Sequence, residues 1–237
     1  DSSLYVSLSA QLALNQRLDT IAHNIANVTT PGFRGEGIKF DSLVSDLGSN
    51  SIDYASIGRS YINTQGGEIV QTGNPLDVAI KGDVWFALSA GKTQVYTRDG
   101  RLQMAPDGQL LSIEGMPVVD PGGAPIKLDP RAGAPVISSS GAITQRGKQI
   151  GALGLFALDP AAKLSYFRNS SVVSDLPATP VVDTDRVSVV QGAIENSNVN
   201  AMSEMTRLIS VTRAFENVQS AVSDTEKSYS DAIKTLG

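Results

Sequence analysis

Residues Asn24-Ile25-Ala26-Asn27-Val28-Thr29-Thr30-Pro31-Gly32-Phe33 join two regions of opposite character, a helical stretch before them and an extended, glycine-rich body after them. Pro31 pushes the residue before it out of the α region, and Gly32 accepts dihedrals that side chains disfavour, so a helix arriving from upstream stops here. Upstream, Leu14, Leu18, Ile21, Ile25 and Val28 alternate at spacings of four and three and share one helical stripe. A matching stripe closes the chain: Leu208, Val211, Phe215, Val218, Val222, Thr225, Tyr229, Ala232 and Leu236. Two terminal helices with complementary stripes are expected to pair as a coiled coil. The expected fold class is therefore α+β, with a central, mainly antiparallel β domain between the paired helices.

The distribution of helix breakers supports the same division. Of 22 glycines and 11 prolines, sixteen glycines lie between Gln65 and Gly192 and ten prolines between Pro75 and Pro180, while residues 1–30 and 193–236 contain neither. The expected organisation is an N-terminal helix within 1–30, a connecting segment 31–64, a central β domain 65–195 and a C-terminal helix within 196–237. Asp1, Ser2 and Ser3 offer N-caps for the first helix, expected over Leu4–Val28, and Ser197, Asn198 and Asn200 offer them for the second. Met202, Met205, Ile209 and Ile233 lie beside the C-terminal stripe and widen its apolar face beyond what one partner helix needs.

In the connecting segment, Ile38, Phe40, Leu43, Val44 and Leu47 form an apolar cluster, Gly48-Ser49-Asn50-Ser51 reads as a loop, and Ile52–Ile62 reads as extended. Beyond Gln65 the pattern has period two. Asp77–Ile80, Trp85–Leu88, Gln94–Thr97, Arg101–Met104 and Leu110–Ile113 read as short strands, and Asp99-Gly100 and Asp107-Gly108 read as hairpin turns. Val136-Ile137, Ala142–Thr144, Leu153–Leu158 and Val187–Val190 continue the series.

Composition narrows the function classes. A net charge of −5 opposes nucleic acid as the main ligand, since phosphate binding needs a basic stripe. No apolar run approaches the roughly 18 residues of a membrane span, so no membrane insertion is expected. The first twenty residues lack a basic n-region and an unbroken apolar h-region, so no cleavable signal peptide is expected. Cysteine is absent, which removes disulfides and thiolate sites. His23 is the sole histidine and lies in the N-terminal helix, where a surface or interface role is far commoner than catalysis. Gly91-Lys92-Thr93 resembles the end of a phosphate loop whose first glycine would fall at Phe86. Asp183 and Asp185 read as a solvated turn, since a calcium loop needs further ligands that the Val-rich continuation lacks. Glu204 with Arg207, and Arg213 with Glu216, read as surface pairs. No catalytic residue, metal ligand or cofactor is expected. A secreted β-rich binding module with dimerising helices and an envelope hydrolase stay open on the residue pattern alone.

Three stretches carry a resemblance. Asn24–Arg34, read as NIANVTTPGFR, resembles the N-terminal signature of the axial proteins of the bacterial flagellum. Thr72–Ile80, followed by Gly82-Asp83 and Trp85-Phe86, is similar to the start of that family's central domain, with Val84 departing from the usual second glycine. Ile194-Glu195-Asn196-Ser197-Asn198-Val199, leading to Met205, Ile209 and Arg213–Glu216, resembles the family's C-terminal helix motif. The resemblance implies a structural subunit of the basal-body rod. The Thr30–Arg34 form looks more like the proximal than the distal rod subunit, and hook proteins carry outer domains for which this chain has no room. It further implies export by the flagellum's own type III system and a place in the basal body across the periplasm. Copies of the chain and other rod proteins are then the expected partners, with the surrounding rings and peptidoglycan as further contacts. The assembly interface would use Leu14, Leu18, Ile21, Ile25, Val28, Leu208, Val211, Phe215, Val218, Val222, Tyr229 and Leu236. The helix-to-body junction would use Asn24, Asn27, Thr30, Pro31, Gly32 and Phe33.

Overall fold

The computed structural model describes residues 2–39, 42–44, 53–55, 58–181 and 186–236. Helix α1 spans Ser2–Ala26 and α2 spans Ala201–Leu236. Between them come β1 (Glu36–Lys39), β2 (Ser42–Val44), β3 (Asp53–Ala55), β4 (Arg59–Ile62), β5 (Ile69–Gln71) and β6 (Val78–Lys81). Next are β7 (Trp85–Ala90), β8 (Thr93–Thr97), β9 (Leu102–Met104), β10 (Leu110–Ser112), β11 (Val136–Ile137), β12 (Ala142–Gln145) and β13 (Lys148–Ala152). The last are β14 (Leu155–Ala157), β15 (Leu164–Tyr166), β16 (Ser171–Ser174), β17 (Thr179–Pro180), β18 (Ser188–Gln191) and β19 (Ala193–Glu195). The class is α+β, as the pattern implies. Asp1 and the loop 48–51 lie outside the described residues, as do Phe40, Leu47 and the pair Asp183 and Asp185.

The chain forms two compact units, one from residues 1–26, 36–61 and 200–237 and the other from residues 27–35 and 62–199. In the helical unit, α1 packs against α2 and also contacts β1 and β3. Helix α1 ends two residues before Val28, the expected last member of its stripe. The Thr30 amide donates to the Asn27 carbonyl at 3.1 Å and the Thr30 hydroxyl to Asn27 Oδ1 at 3.1 Å, so a polar turn takes over where the apolar spacing would continue the helix. At the other helix, the Ser203 amide donates to Asn200 Oδ1 at 2.9 Å, which makes Asn200 the N-cap among the three candidates.

The β body is built on a six-stranded antiparallel sheet in the order β15-β16-β8-β7-β14-β17. Side chains alternate across a strand, and here both faces are buried. Phe86, Leu88, Val95 and Leu155 point into one apolar cluster with Ile80, Leu110, Val118, Ile143, Leu153 and Val189. Their neighbours Trp85, Ala87, Tyr96 and Phe156 point into a second with Val119 and Val172. Strands β18 and β19 return late in the sequence to pair with β6 and β5. That return carries residues 193–199 back to the beginning of the body.

The two expected hairpin turns behave differently. At Asp107-Gly108 the chain reverses as expected, with Gly108 at φ +89° and Leu110 opposite Met104. Asp99-Gly100 is not a hairpin. Strand β8 pairs with β7 and β16, strand β9 pairs with β10, and Gly100 has no positive φ among the described backbone. Its glycine serves close packing: a Cβ there would lie 1.5 Å from the Val78 carbonyl oxygen, whereas a Cβ at Gly91, in the β7–β8 turn, meets open space at φ +74°. Gly100→Ala is therefore expected to destabilise the body by more than about 3 kcal/mol. Gly91→Ala should cost only the left-handed penalty of roughly 1–2 kcal/mol. Urea denaturation followed by Trp85 fluorescence measures both, and equal costs would contradict the packing assignment.

Candidate functional site

The junction read from the sequence folds as a strap on the β body. Gly32 lies at φ +70°, and a Cβ there would come within 2.1 Å of the Asp99 amide nitrogen. Its own amide donates to the Glu195 carbonyl at 2.7 Å. Phe33 is fully buried and stacks on Tyr166, ring centroids 5.5 Å apart and nearly parallel, while the Tyr166 hydroxyl donates to the Arg34 carbonyl. Asn198 ties the segment to its neighbours. It accepts from the Gly35 amide at 2.6 Å and donates through Nδ2 to the Asn63 and Gln65 carbonyls at 3.0 and 2.8 Å.

Under this strap lies a cluster of three charges. Arg34, Arg98 and Glu195 have side chains only 3, 4 and 1% exposed. Glu195 Oε1 is 2.5 Å from Arg34 Nη1 and accepts from the Gly67 amide at 2.7 Å. Glu195 Oε2 accepts from Arg98 Nε and Nη2, each at 2.7 Å. The rest of Arg98 is satisfied by the carbonyls of Ile80 at 2.7 Å, Gly82 at 2.9 Å and Val84. Arg34 is held less completely: its Nε has no acceptor among the described residues, and its guanidinium lies 5.6 Å from the Trp85 ring centroid. Burial pushes the Arg34 pKa down, Glu195 pulls it up and the like charge of Arg98 pushes it down again.

A second polar contact lies within the helical unit. Asn24 Oδ1 accepts from the Glu36 amide at 2.8 Å and its Nδ2 donates to the Glu36 carbonyl at 2.9 Å, so one side chain pairs with β1 as a strand would. The same Nδ2 lies 3.4 Å from Glu204 Oε2. Glu204 also accepts from Arg207 at 2.7 Å, so the expected pair forms with Arg207 exposed, but the Glu204 carboxylate end is buried and not on a solvated face. His23 Nδ1 lies 3.7 Å from Glu36 Oε2 on a half-exposed helix face.

Of the stripe residues, Ile21 is buried, and Leu14, Leu18, Ile25, Leu208, Val211, Phe215, Val218 and Val222 are half-buried. Val28 lies in the turn after α1, and the side chains of Tyr229 and Leu236 are outside the described residues. Met202, Met205 and Ile209 are 75, 49 and 55% exposed, so the widened face stands open in the single chain. Among the described residues no group of three His, Cys, Asp or Glu side chains could hold a metal ion, and no helix is long and apolar enough to cross a membrane.

Sequence reasoning named the junction residues and quoted Arg34 and Glu195 within motifs, but missed that those two meet and missed Arg98 altogether. The one available signal is a lone acidic residue, Glu195, ending an otherwise apolar strand.

Three family models match in chain order: the flagella basal body rod protein over residues 4–34, the flagellar hook protein FlgE/F/G D1 domain over 79–145, and the flagellar basal body rod FlgEFG protein C-terminal region over 190–235. The flagellar basal-body rod protein FlgF of Mesorhizobium japonicum is 49% identical over 99% of this chain and 98% of its own length. The FlgF protein of Rhizobium meliloti is 45% identical over 100% and 98%. The chain belongs to the flagellar basal-body rod protein family. A FlgG rod protein, that of Bacillus subtilis, is 30% identical over 91% of each chain. Arg34 closes the rod-protein match at the N-terminus and Glu195 falls within the C-terminal match, so the ion cluster joins the two ends of the family pattern.

Gly32→Ala should dislodge the strap, because strain at positive φ and a backbone clash coincide at that position. The expected result is a red-shifted emission of Trp85, the sole tryptophan, and a loss of about 2–4 kcal/mol. An unshifted spectrum at unchanged stability would show that the strap tolerates a side chain there.

Proposed function

We propose that this chain is a structural subunit of the proximal rod of the flagellar basal body, polymerising through its terminal helices into the hollow shaft that transmits torque. The observation that carries this reading is the end-to-end match to FlgF rod proteins at 49 and 45% identity. The lower identity to a FlgG rod protein favours the proximal over the distal rod. In this reading the helical arms lie within residues 1–30 and 196–237, residues 31–64 connect them to the body, and residues 65–195 form the body. The subunit acts without catalysis or cofactor, leaves the cell through the flagellar type III channel and sits where the basal body spans the periplasm. Its partners are copies of itself and other rod proteins, with the surrounding rings and peptidoglycan at the body's outer surface.

The mechanism follows from what the arms cannot bury alone. In this reading the stripes of α1 and α2 pair as a coiled coil, which the packing of α1 against α2 supports, while Met202, Met205 and Ile209 stay exposed on α2. Apolar side chains at this density on one face are covered when a neighbour packs there, each contributing roughly 1.5–3 kcal/mol. A head-to-tail contact of this kind need not close and so builds a helical tube. Helical stability in proteins comes mostly from packing of an amphipathic face, so in this reading the arms gain their full order as they pack on neighbours.

Replacing Ile209 by Asp places a charge on the open face without touching the β body. The variant is expected to fold as the parent does, to be missing from isolated basal bodies and to leave cells non-motile. Basal bodies carrying the variant at parental amounts would contradict this use of the face, and rods assembled without the chain would overturn the function.

A further inference from the structure

We propose that the buried cluster of Arg34, Glu195 and Arg98 is a lock that fastens residues 27–35 to the β body, where residues 193–199 return, independently of α1 and α2. The free subunit then carries a finished junction from which both arms grow. The last clause rests on the reading that the arms fold on assembly; the lock itself does not.

Every partner of the strap described above belongs to the body: Glu195 for Gly32 and Arg34, Tyr166 for Phe33 and Arg34, Asn198 for Phe33 and Gly35, Asn63 for Gly35. Nothing in that set waits for a helix. The charge balance gives the lock its hierarchy. One carboxylate stands between two guanidinium groups, and Arg98 is satisfied by three further carbonyls while Arg34 depends mainly on Glu195. Removing Glu195 leaves two buried cations facing each other; removing Arg34 leaves a complete Glu195–Arg98 pair and frees only the strap.

The consequence for the arms is geometric. The Asn198 amide donates to the Phe33 carbonyl at 3.2 Å, so the chain leaves toward α2 beside the strap that follows α1. Without the lock, pairing the arms would close a loop that runs from the end of α1 to the β5–β19 pairing. With it, the loop shrinks to a few residues, and the entropy of closure falls with the logarithm of that length. The order boundary accordingly lies at Ala26/Asn27 and Val199/Asn200, inside the limits that helical periodicity suggests.

Hydrogen exchange on the free, full-length chain tests this, using the parent, Arg34→Met and Glu195→Gln. In the parent, the amides of Gly32, Phe33, Gly35, Gly67, Asn196 and Asn198 should be protected like those of β7 and β8, while α1 and α2 exchange quickly. Arg34→Met should cut protection at residues 32–35 by on the order of tenfold or more and leave β7 and β8 unchanged. Glu195→Gln should lower protection at residues 32–35 and at Gly67, Asn196 and Asn198, and further than Arg34→Met does; it can unfold the body, which is why Arg34→Met is the deciding variant. Fast exchange of residues 32–35 in the parent, or undiminished protection there in Arg34→Met, would overturn the lock. Protected arms in the free chain, with a strap that still responds to Arg34→Met, would sustain the lock and overturn the coupled folding of the arms.

Discussion

A carboxylate buried to the last per cent of its surface sets the terms for this body. Taking Glu195 out of water is costly, and the cost is offset only where Arg34, Arg98 and the Gly67 amide converge on it. Those groups come from distant places in the sequence, so the ion cluster exists only if the strap after α1, the residue that follows β8 and the returning strand β19 are all correctly placed. Strand pairing has a period of two, and a slip of β19 by one residue against β5 would turn Glu195 away from both arginines. An apolar residue at position 195 would tolerate such a slip more easily. The cluster therefore acts on register, and its contribution is specificity more than raw stability.

Strands β6 to β10 were legible in the sequence because their apolar residues alternate and their turns carry Gly or Asp. The edge strands Lys148–Ala152 and Leu164–Tyr166 were not, since their half-exposed residues lack a clean alternation, and Ser171–Ser174, which lies between β15 and β8, was not because its two adjacent valines break the period of two. Asp99-Gly100 has the composition of a hairpin turn, but local composition cannot report that β8 finds its partners at β7 and β16 instead of β9. Arg98 was invisible for a related reason: periodicity tells which face a side chain occupies, never what another segment sets opposite it. At the end of α1 the apolar spacing predicted one more turn, and the side chain of Asn27 bonding Thr30 overrode it.

Polar groups also organise the helical unit, by a different device. Asn24 uses both ends of its amide on the backbone of Glu36, satisfying a strand edge from the side of a helix. Glu204 then supplies a buried acceptor in the first turn of α2, where a negative charge is favoured by the helix dipole. Motif resemblance flags these residues, but their chemistry is a matter of completing hydrogen bonds at a place where helix, strand and helix meet.

The two units differ in what they can sustain alone. The body has apolar clusters on both faces of its main sheet, and its charges are paired inside it. Among the described residues, the helical unit buries few large side chains completely and leaves methionine and isoleucine facing water. Local stability follows buried apolar contact, so opening should begin in the helices and reach the body last. A subunit that polymerises through its ends needs that order. If the arms were as well buried as the body, they would gain little from a neighbour; if the body were as open as the arms, it could not hold their starting points still while the neighbour arrives.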